Sequence, residues 1–233
     1  GKFNNKSYKI SGGLHGVGIS VVNALSSKFI AKVFKNGKVY TQNYSKGKAK
    51  TKIKIEKCKK NLKGTEIIFY PDEEIFKNVS FIPKKLYNFI QMKSVLVAGT
   101  SISFEIDKGL ISDNTPNKSL FYYKNGIKDF INEKSLKNAK IFERDFSIKS
   151  KINENEYIDV YFSFNIDQKS SFLSFCNTIS TPDGGSHENG IKSGILKSIK
   201  LFGQKNQFSK ISNIQINDII DYSDIIISIF ISE

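Results

Sequence analysis

Three patterns in this 233-residue chain point to an α+β architecture built in two parts. Apolar residues recur with period two in four short stretches between residues 29 and 70. They recur at helical spacing after Pro83 and again after Glu188, and an isoleucine-rich stretch at 225–231 reads as a closing strand. Strands and helices mixed in this way bury their apolar faces as sheet-plus-helix layers in both halves. The length agrees, since domains usually hold roughly 100–200 residues.

Taken in order, Tyr8 to Ser11 reads as a short strand leading into Gly12-Gly13-Leu14-His15-Gly16-Val17-Gly18. Ile19, Val22 and Leu25 then fall on one helical face. Phe29 to Phe34, Val39 to Tyr44, Lys50 to Ile55 and Thr65 to Tyr70 form an antiparallel set, with Asn36-Gly37 as the hairpin turn of the first pair. Pro83 to Val97 carries Leu86, Phe89, Ile90 and Val97 on one side of a helix; after a Gly99-Thr100 break, Ser101 to Ile106 is a strand. The polar run from Asp107 to Ser119 is the expected linker, dividing the chain into domains at 1–119 and 120–233. Tyr157 to Ile166 and Ser171 to Asn177 are strands, Thr181 to Gly185 a turn, and Glu188 to Phe202 a helix bearing Ile191, Ile195, Leu196 and Ile199. No repeat of about 20–50 residues and no heptad pattern is present, which excludes solenoids and long zippers.

Thirty-six Lys and Arg against 22 Asp and Glu leave a net charge of +14, a surplus that attracts nucleic acid, nucleotides or an acidic membrane surface. Arg144 is the sole arginine beside many Lys, Asn and Ile, so part of the surplus is expected to reflect compositional bias. Lysine supplies a mobile point charge where bidentate base reading needs the guanidinium fork, which disfavours sequence-specific readout. In the lysine-dense stretch 46–63, Lys50, Lys52 and Lys54 alternate with Thr51, Ile53 and Ile55, the pattern of a solvated strand face with its apolar side inward. Cys58 and Cys176 stand far apart without a C-x-x-C partner, so neither a disulfide framework nor a metal site is indicated. No uncharged apolar run approaches the ~20 residues a bilayer demands, and Gly1 to Lys6 lacks the apolar core of a secretory signal. The expectation is a soluble, cytoplasmic protein with no membrane partner.

Glycines let main-chain amides approach an anion, and a following helix adds positive potential, so the 12–18 loop invites comparison with phosphate-binding patterns. From Gly13 to Gly18 the spacing suits a Walker A loop, but Ile19 stands where a lysine is required. A dinucleotide fingerprint fails as well, for want of a third glycine and of an acid about 20 residues on. What remains is Gly-x-His-Gly-x-Gly.

The unbroken run from Ser11 through Gly-Gly-Leu-His-Gly-Val-Gly to Ile19-Ser20-Val21-Val22-Asn23-Ala24-Leu25-Ser26 resembles the nucleotide lid of the ATPase subunits of bacterial type IIA topoisomerases. These are gyrase B and its topoisomerase IV counterpart, of the GHKL class. The likeness continues in Lys2-Phe3 and Tyr8-Lys9, in Gly64-Thr65 with Tyr70-Pro71-Asp72, and in Asp183-Gly184-Gly185-Ser186-His187 with Gly190. It implies an α+β fold comprising the C-terminal part of a Bergerat (GHKL) ATPase sandwich, then a transducer domain of the ribosomal protein S5 domain 2-like type. It also implies ATP bound by main-chain amides of Leu14, His15, Gly16, Val17, Gly18, Ile19 and Ser20. Lys2 and Lys9 fall where the family places phosphate-facing lysines, and Thr65 where it places a hydroxyl near adenine. Lys192, Lys197 and Lys200 follow a helix whose counterpart faces the cavity for DNA.

Implied partners are DNA, a second copy of the ATPase subunit in a homodimer, and an A-type cleavage subunit completing an A2B2 complex; implied cofactors are ATP and Mg2+. The family's general base, its magnesium-binding Asn and its adenine-reading Asp have no counterpart in this sequence, nor does its Gln-Thr-Lys loop. The chain is therefore expected to be an internal fragment, inactive alone, with no catalytic residue and no metal ligand of its own. Asn217 to Asp224 is a loosened version of the family's acidic-Arg-Glu-Gly-Leu stretch. Gln91 to Leu96 and Gly18-Ile19-Ser20 lean toward topoisomerase IV. Two other readings remain open: a non-catalytic basic nucleic-acid-binding module, or another GHKL ATPase of the chaperone or mismatch-repair type. Ser186-His187-Glu188 is not a triad, because consecutive residues entering a helix point apart; Ser186 is expected to cap that helix.

Overall fold

A computed structural model describes residues 16–135, 140–142, 145–154, 156–166 and 170–232. Contacts divide the described chain into two compact units, 16–81 and 82–232.

In the first unit, helix α1 (Gly18–Ala24) leads into β1 (Ser26–Lys35), followed by β2 (Lys38–Ser45), β3 (Lys48–Ala49), β4 (Lys54–Lys57) and β5 (Gly64–Pro71). The sheet runs β3-β2-β1-β5, with β4 also on β2, and every pair is antiparallel. Asn36 and Gly37 both take positive φ, 53° and 71°, as a two-residue turn between twisted strands requires. The strand expected at 50–55 is displaced. Residues 50–53 lie between β3 and β4, where the Thr51 hydroxyl accepts from the Asn43 amide at 3.1 Å and the Gln42 side chain donates to the Thr51 carbonyl at 3.1 Å. Side-chain bonds thus replace the ladder. Ile53 and Ile55 are exposed, so the inward apolar face expected for this stretch is not formed within the described residues.

The second unit opens with α2 (Pro83–Leu96), its first position taken by a proline whose missing N–H would have been unpaired in any case. Then come β6 (Ser101–Glu105), β7 (Lys118–Tyr122) and α3 (Ile127–Ser135), followed by β8 (Phe146–Lys151), β9 (Tyr157–Phe164), β10 (Ser171–Cys176), β11 (Ile179–Ser180), α4 (Ser186–Lys205), α5 (Ile216–Ile220) and β12 (Ser223–Phe230). The main sheet runs β11-β10-β12-β9-β8. Its single parallel pair, β10 with β12, is joined by the long crossover through α4.

Strand β12 is covered on both faces, which explains its nearly unbroken isoleucine run. Ile225 and Ile227 belong to a core that takes in Val160 and the α4 residues Ile191 and Ile195. Ile226 points the other way, into a core with Tyr161, Phe175, Leu96, Phe104, Phe121 and Phe130. This second core spans residues 95–226, and β6 pairs with β7 across the 107–119 segment. The polar run therefore joins two paired strands inside one unit, and contacts divide the chain at 81/82 instead of 119/120. Among the described residues no helix is long and apolar enough to cross a membrane.

Candidate functional site

The described part of the glycine loop begins at Gly16, whose φ of +60° lies in the left-handed region. Val17 precedes α1 in a helical conformation without any side-chain cap, and the helix's first turn carries no acid. The Val21 amide is the first to bond back, to the Val17 carbonyl at 2.9 Å. Helix geometry therefore leaves the amides of Gly18, Ile19 and Ser20 without intrahelical acceptors. A Cβ built on Gly18 would meet no atom within 4 Å, so the space beside this main chain is open.

The opposite end of α1 is tied down. The Ser26 hydroxyl donates to the Val22 carbonyl at 2.6 Å, the Gly47 amide to Asn23 at 3.1 Å and the Asp72 amide to Leu25 at 3.0 Å. Lys46, in the turn after β2, pairs with Asp72 at 3.1 Å and Glu74 at 2.6 Å, and these partners raise its pKa above the ordinary 10.5. The helix is thus fixed at its C-terminus on the sheet, with an uncapped N-terminus at the glycines.

Of the expected nucleotide contacts, Gly16 to Ser20 lie in this end; Leu14, His15, Lys2 and Lys9 fall outside the described residues. Thr65 is exposed on β5, opposite Val33. Gly18–Ala24 joins β1 near Ser26, whose partner is Pro71, six residues further along β5. That distance is about 20 Å of strand, and no hydrogen bond among the described residues brings Thr65 to the loop.

The three lysines of α4 do not act as a set. Lys192 is half-buried, paired with Glu188 at 3.2 Å and held 4.5 Å from the centre of the Phe172 ring. Lys200 donates to the Ser212 carbonyl at 3.0 Å. Lys197 is exposed in a shallow groove of about 380 Å³ with Ser193 and Gln204. At 100° per residue Lys197 sits about 140° around the helix from Lys192, so the expected shared basic face reduces to Lys197 and its neighbour Lys200.

The start of α4 holds a network that the sequence reading missed. The Ser174 hydroxyl donates to the buried Glu188 carboxylate and lies 2.6 Å from Thr181 Oγ1, which is 3.1 Å from His187 Nε2. Burial alone would raise the Glu188 carboxyl; the hydrogen bonds from Ser174 and Lys192 outweigh it and hold it below its usual range. His187 and Glu188 turn to different partners, as their adjacency requires. The expected cap at Ser186 is not formed: Gly185 occupies the N-cap and no side chain caps the helix. The acidic Glu188 in the first turn supplies favourable charge there instead. The signal available in the sequence was this acid three residues after Gly185. No group of three metal-binding side chains occurs among the described residues.

Comparison with known proteins places this geometry. Residues 126–233 match the family model for DNA gyrase B. The B subunit of DNA topoisomerase 4 from Rickettsia felis is 42% identical over 236 residues, spanning all of this chain and 36% of that protein. The B subunit of DNA gyrase from Helicobacter pylori is 35% identical over 236 residues, all of this chain and 30% of the other. The topoisomerase IV ATP-binding domain of Francisella tularensis, solved with a small-molecule inhibitor, superposes with a TM-score of 0.70 at 29% identity, covering 94% of this chain and 59% of that one. The chain spans about a third of the length of the curated relatives it matches. From the glycine loop to β12, the chain belongs to the gyrase B and topoisomerase IV family of ATPase subunits from type IIA DNA topoisomerases.

Proposed function

We propose that this chain holds the phosphate-binding lid and the transducer of an ATP-dependent type IIA DNA topoisomerase, in which ATP binding and hydrolysis are coupled to dimer-gate closure and passage of a DNA duplex. The observation that carries the reading is the uncapped N-terminus of α1 within Gly16-Val17-Gly18, in a chain related along its length to the ATPase subunits of topoisomerases. Three main-chain amides without intrahelical acceptors and the positive end of a helix dipole suit a polyphosphate.

In this reading Gly16 makes the turn that brings the backbone to the phosphates, and Gly18, Ile19 and Ser20 donate. Leu14 and His15 extend the same grip, with Lys2, Lys9 and Thr65 completing the nucleotide site. The sheet of β8–β12 with α4 is the transducer, and Lys197 is the α4 lysine best placed to meet DNA. Ordering of the lid by ATP shifts the population of the homodimer toward its closed form, so the nucleotide acts through conformation as well as chemistry. The A-type cleavage subunit completes an A2B2 assembly in the cytoplasm. Magnesium accompanies ATP in such chemistry, but the described side chains offer no ligand set that fits it, and no step is derived through it. No general base is assigned to a residue of this chain.

The test uses the full-length protein carrying Gly16→Val. A β-branched residue at a φ of +60° is strained and fills the space between backbone and phosphate. Nucleotide-dependent dimerisation and ATP turnover should both be lost. Gly18→Ala separates this from misfolding, because its methyl meets no protein atom within 4 Å; it should keep the thermal midpoint and weaken nucleotide binding. Unchanged turnover in a folded Gly16→Val enzyme would overturn the reading.

A further inference from the structure

The charge surplus is concentrated in one stretch. Residues 28–63 contain thirteen lysines and one acid, Glu56, a net +12 of the chain's +14. The remaining 197 residues are almost neutral, whereas a compositional bias toward lysine would spread through the chain. The stretch folds as β1 to β4 and the segments around them. Of its lysines, Lys32 pairs with Glu66, Lys46 with Asp72 and Glu74, and Lys54 with Glu56; the other ten have no acidic partner among the described residues.

Register sharpens this. Elsewhere, lysines on paired strands face acids: Lys32 faces Glu66, Lys118 faces Glu105 and Lys149 faces Asp159. At the β1–β2 turn the rule is broken. Lys35 faces Lys38, and Lys38 in turn faces Lys57, placing three like charges in one row on one face of three strands. Directly opposed like charges are destabilising in a sheet. The Cys58 amide donates to the Gly37 carbonyl at 2.9 Å, holding Lys59 and Lys60 beside the same turn. All five lysines are exposed.

We propose that this turn is a docking surface for the phosphate backbone of duplex DNA, separate from the α4 lysines; the choice of DNA among polyanions rests on the topoisomerase reading above. Two interstrand spacings make the row about 10 Å long, and one DNA strand carries a charge per ~3.4 Å of axis, so the row meets about three successive phosphates. Lysines on a flat strand face position the duplex without reading its bases. Binding relieves the mutual repulsion of the row, which is why it persists without acids.

The test measures the affinity of the full-length protein for a mixed-sequence duplex of roughly 40 base pairs between about 50 and 200 mM salt. The variant replaces Lys35, Lys38 and Lys57 by glutamine. The slope of log affinity against log salt should become shallower by about 2.7, three contacts at ~0.9 each, with a thermal midpoint equal to or above the parent's. A triple with equal charge loss, Lys85→Gln, Lys108→Gln and Lys128→Gln, should keep the parental slope. Equal changes in both triples would show only net charge and sink the proposal. If the parent binds duplex and the turn variant keeps its slope, the docking surface fails while the topoisomerase reading stands. If the parent does not bind duplex, both fail. Loss of binding to phosphatidylserine vesicles with DNA binding intact would overturn the proposal in favour of a membrane surface.

Discussion

Replacing Glu188 by glutamine tests the network that anchors α4. Its carboxylate is buried, accepts from Ser174, pairs with Lys192 at 3.2 Å and lies in the first turn of the helix. Glutamine keeps an acceptor for Ser174 but removes the ion pair and the favourable charge at the helix N-terminus. An i,i+4 pair contributes about 0.3–0.5 kcal/mol when exposed and the helix-end charge about 0.3–1, more when partly buried, so the expected loss is about 1–2 kcal/mol. For a protein of this size each kcal/mol lowers Tm by about 2–4 °C, which makes the shift roughly 2–8 °C. Alanine also removes the charge-assisted bond from Ser174, worth a further ~1.5–3 kcal/mol.

The dependence on pH has a definite sign. Because the folded carboxyl lies below its ordinary 4.5, its contribution is complete above that value and fades as pH falls through the lowered folded pKa. Thermal melts of the parent and Glu188→Gln should therefore differ at neutral pH and converge in acid. Equal midpoints at pH ~7, or a gap that widens on acidification, would refute the assignment of stability to this carboxylate.

Three further outcomes follow from the second unit. Gly203→Ala would normally favour a helix, yet its methyl would lie 2.1 Å from Ile211 Cγ1, so overpacking should cost about 1–3 kcal/mol in denaturant melts. Ile227→Ala, at a side chain with no exposed surface on β12, should cost about 2–5 kcal/mol by the same measurement. The Asn177 side chain both accepts from the Ile231 amide and donates to its carbonyl, each at 3.0 Å. Asn177→Asp keeps the acceptor and should leave the Ile231 amide slow to exchange, whereas Asn177→Ala should expose it; equal exchange in the two variants would disprove the clamp.

Much of the fold was legible because it is written in local patterns. Asn36-Gly37 announces its turn through two residues that tolerate positive φ, and Pro83 marks the first turn of α2 by lacking a donor where none is needed. The isoleucines of β12 reveal a strand buried on both faces. Helix α3 was missed although Ile127, Phe130 and Ile131 recur at helical spacing and are buried. The Asp107–Ser119 run misled because polar composition marks a loop without saying what the loop connects; the ladder between β6 and β7 decides that.

The candidate site divides along the same line. Sequence by itself determined the glycine loop, the helix after it, the excess of positive charge and the family, since these depend on residue identity and short spacing. Only tertiary structure decided that Lys192 spends its charge on Glu188, that the Lys200 ammonium is drawn to Ser212, and that Lys35, Lys38 and Lys57 stand in one row. Whether a charge is available to a partner depends on what lies opposite it in space. Strand register and helix packing set those neighbours, across separations that no local pattern encodes.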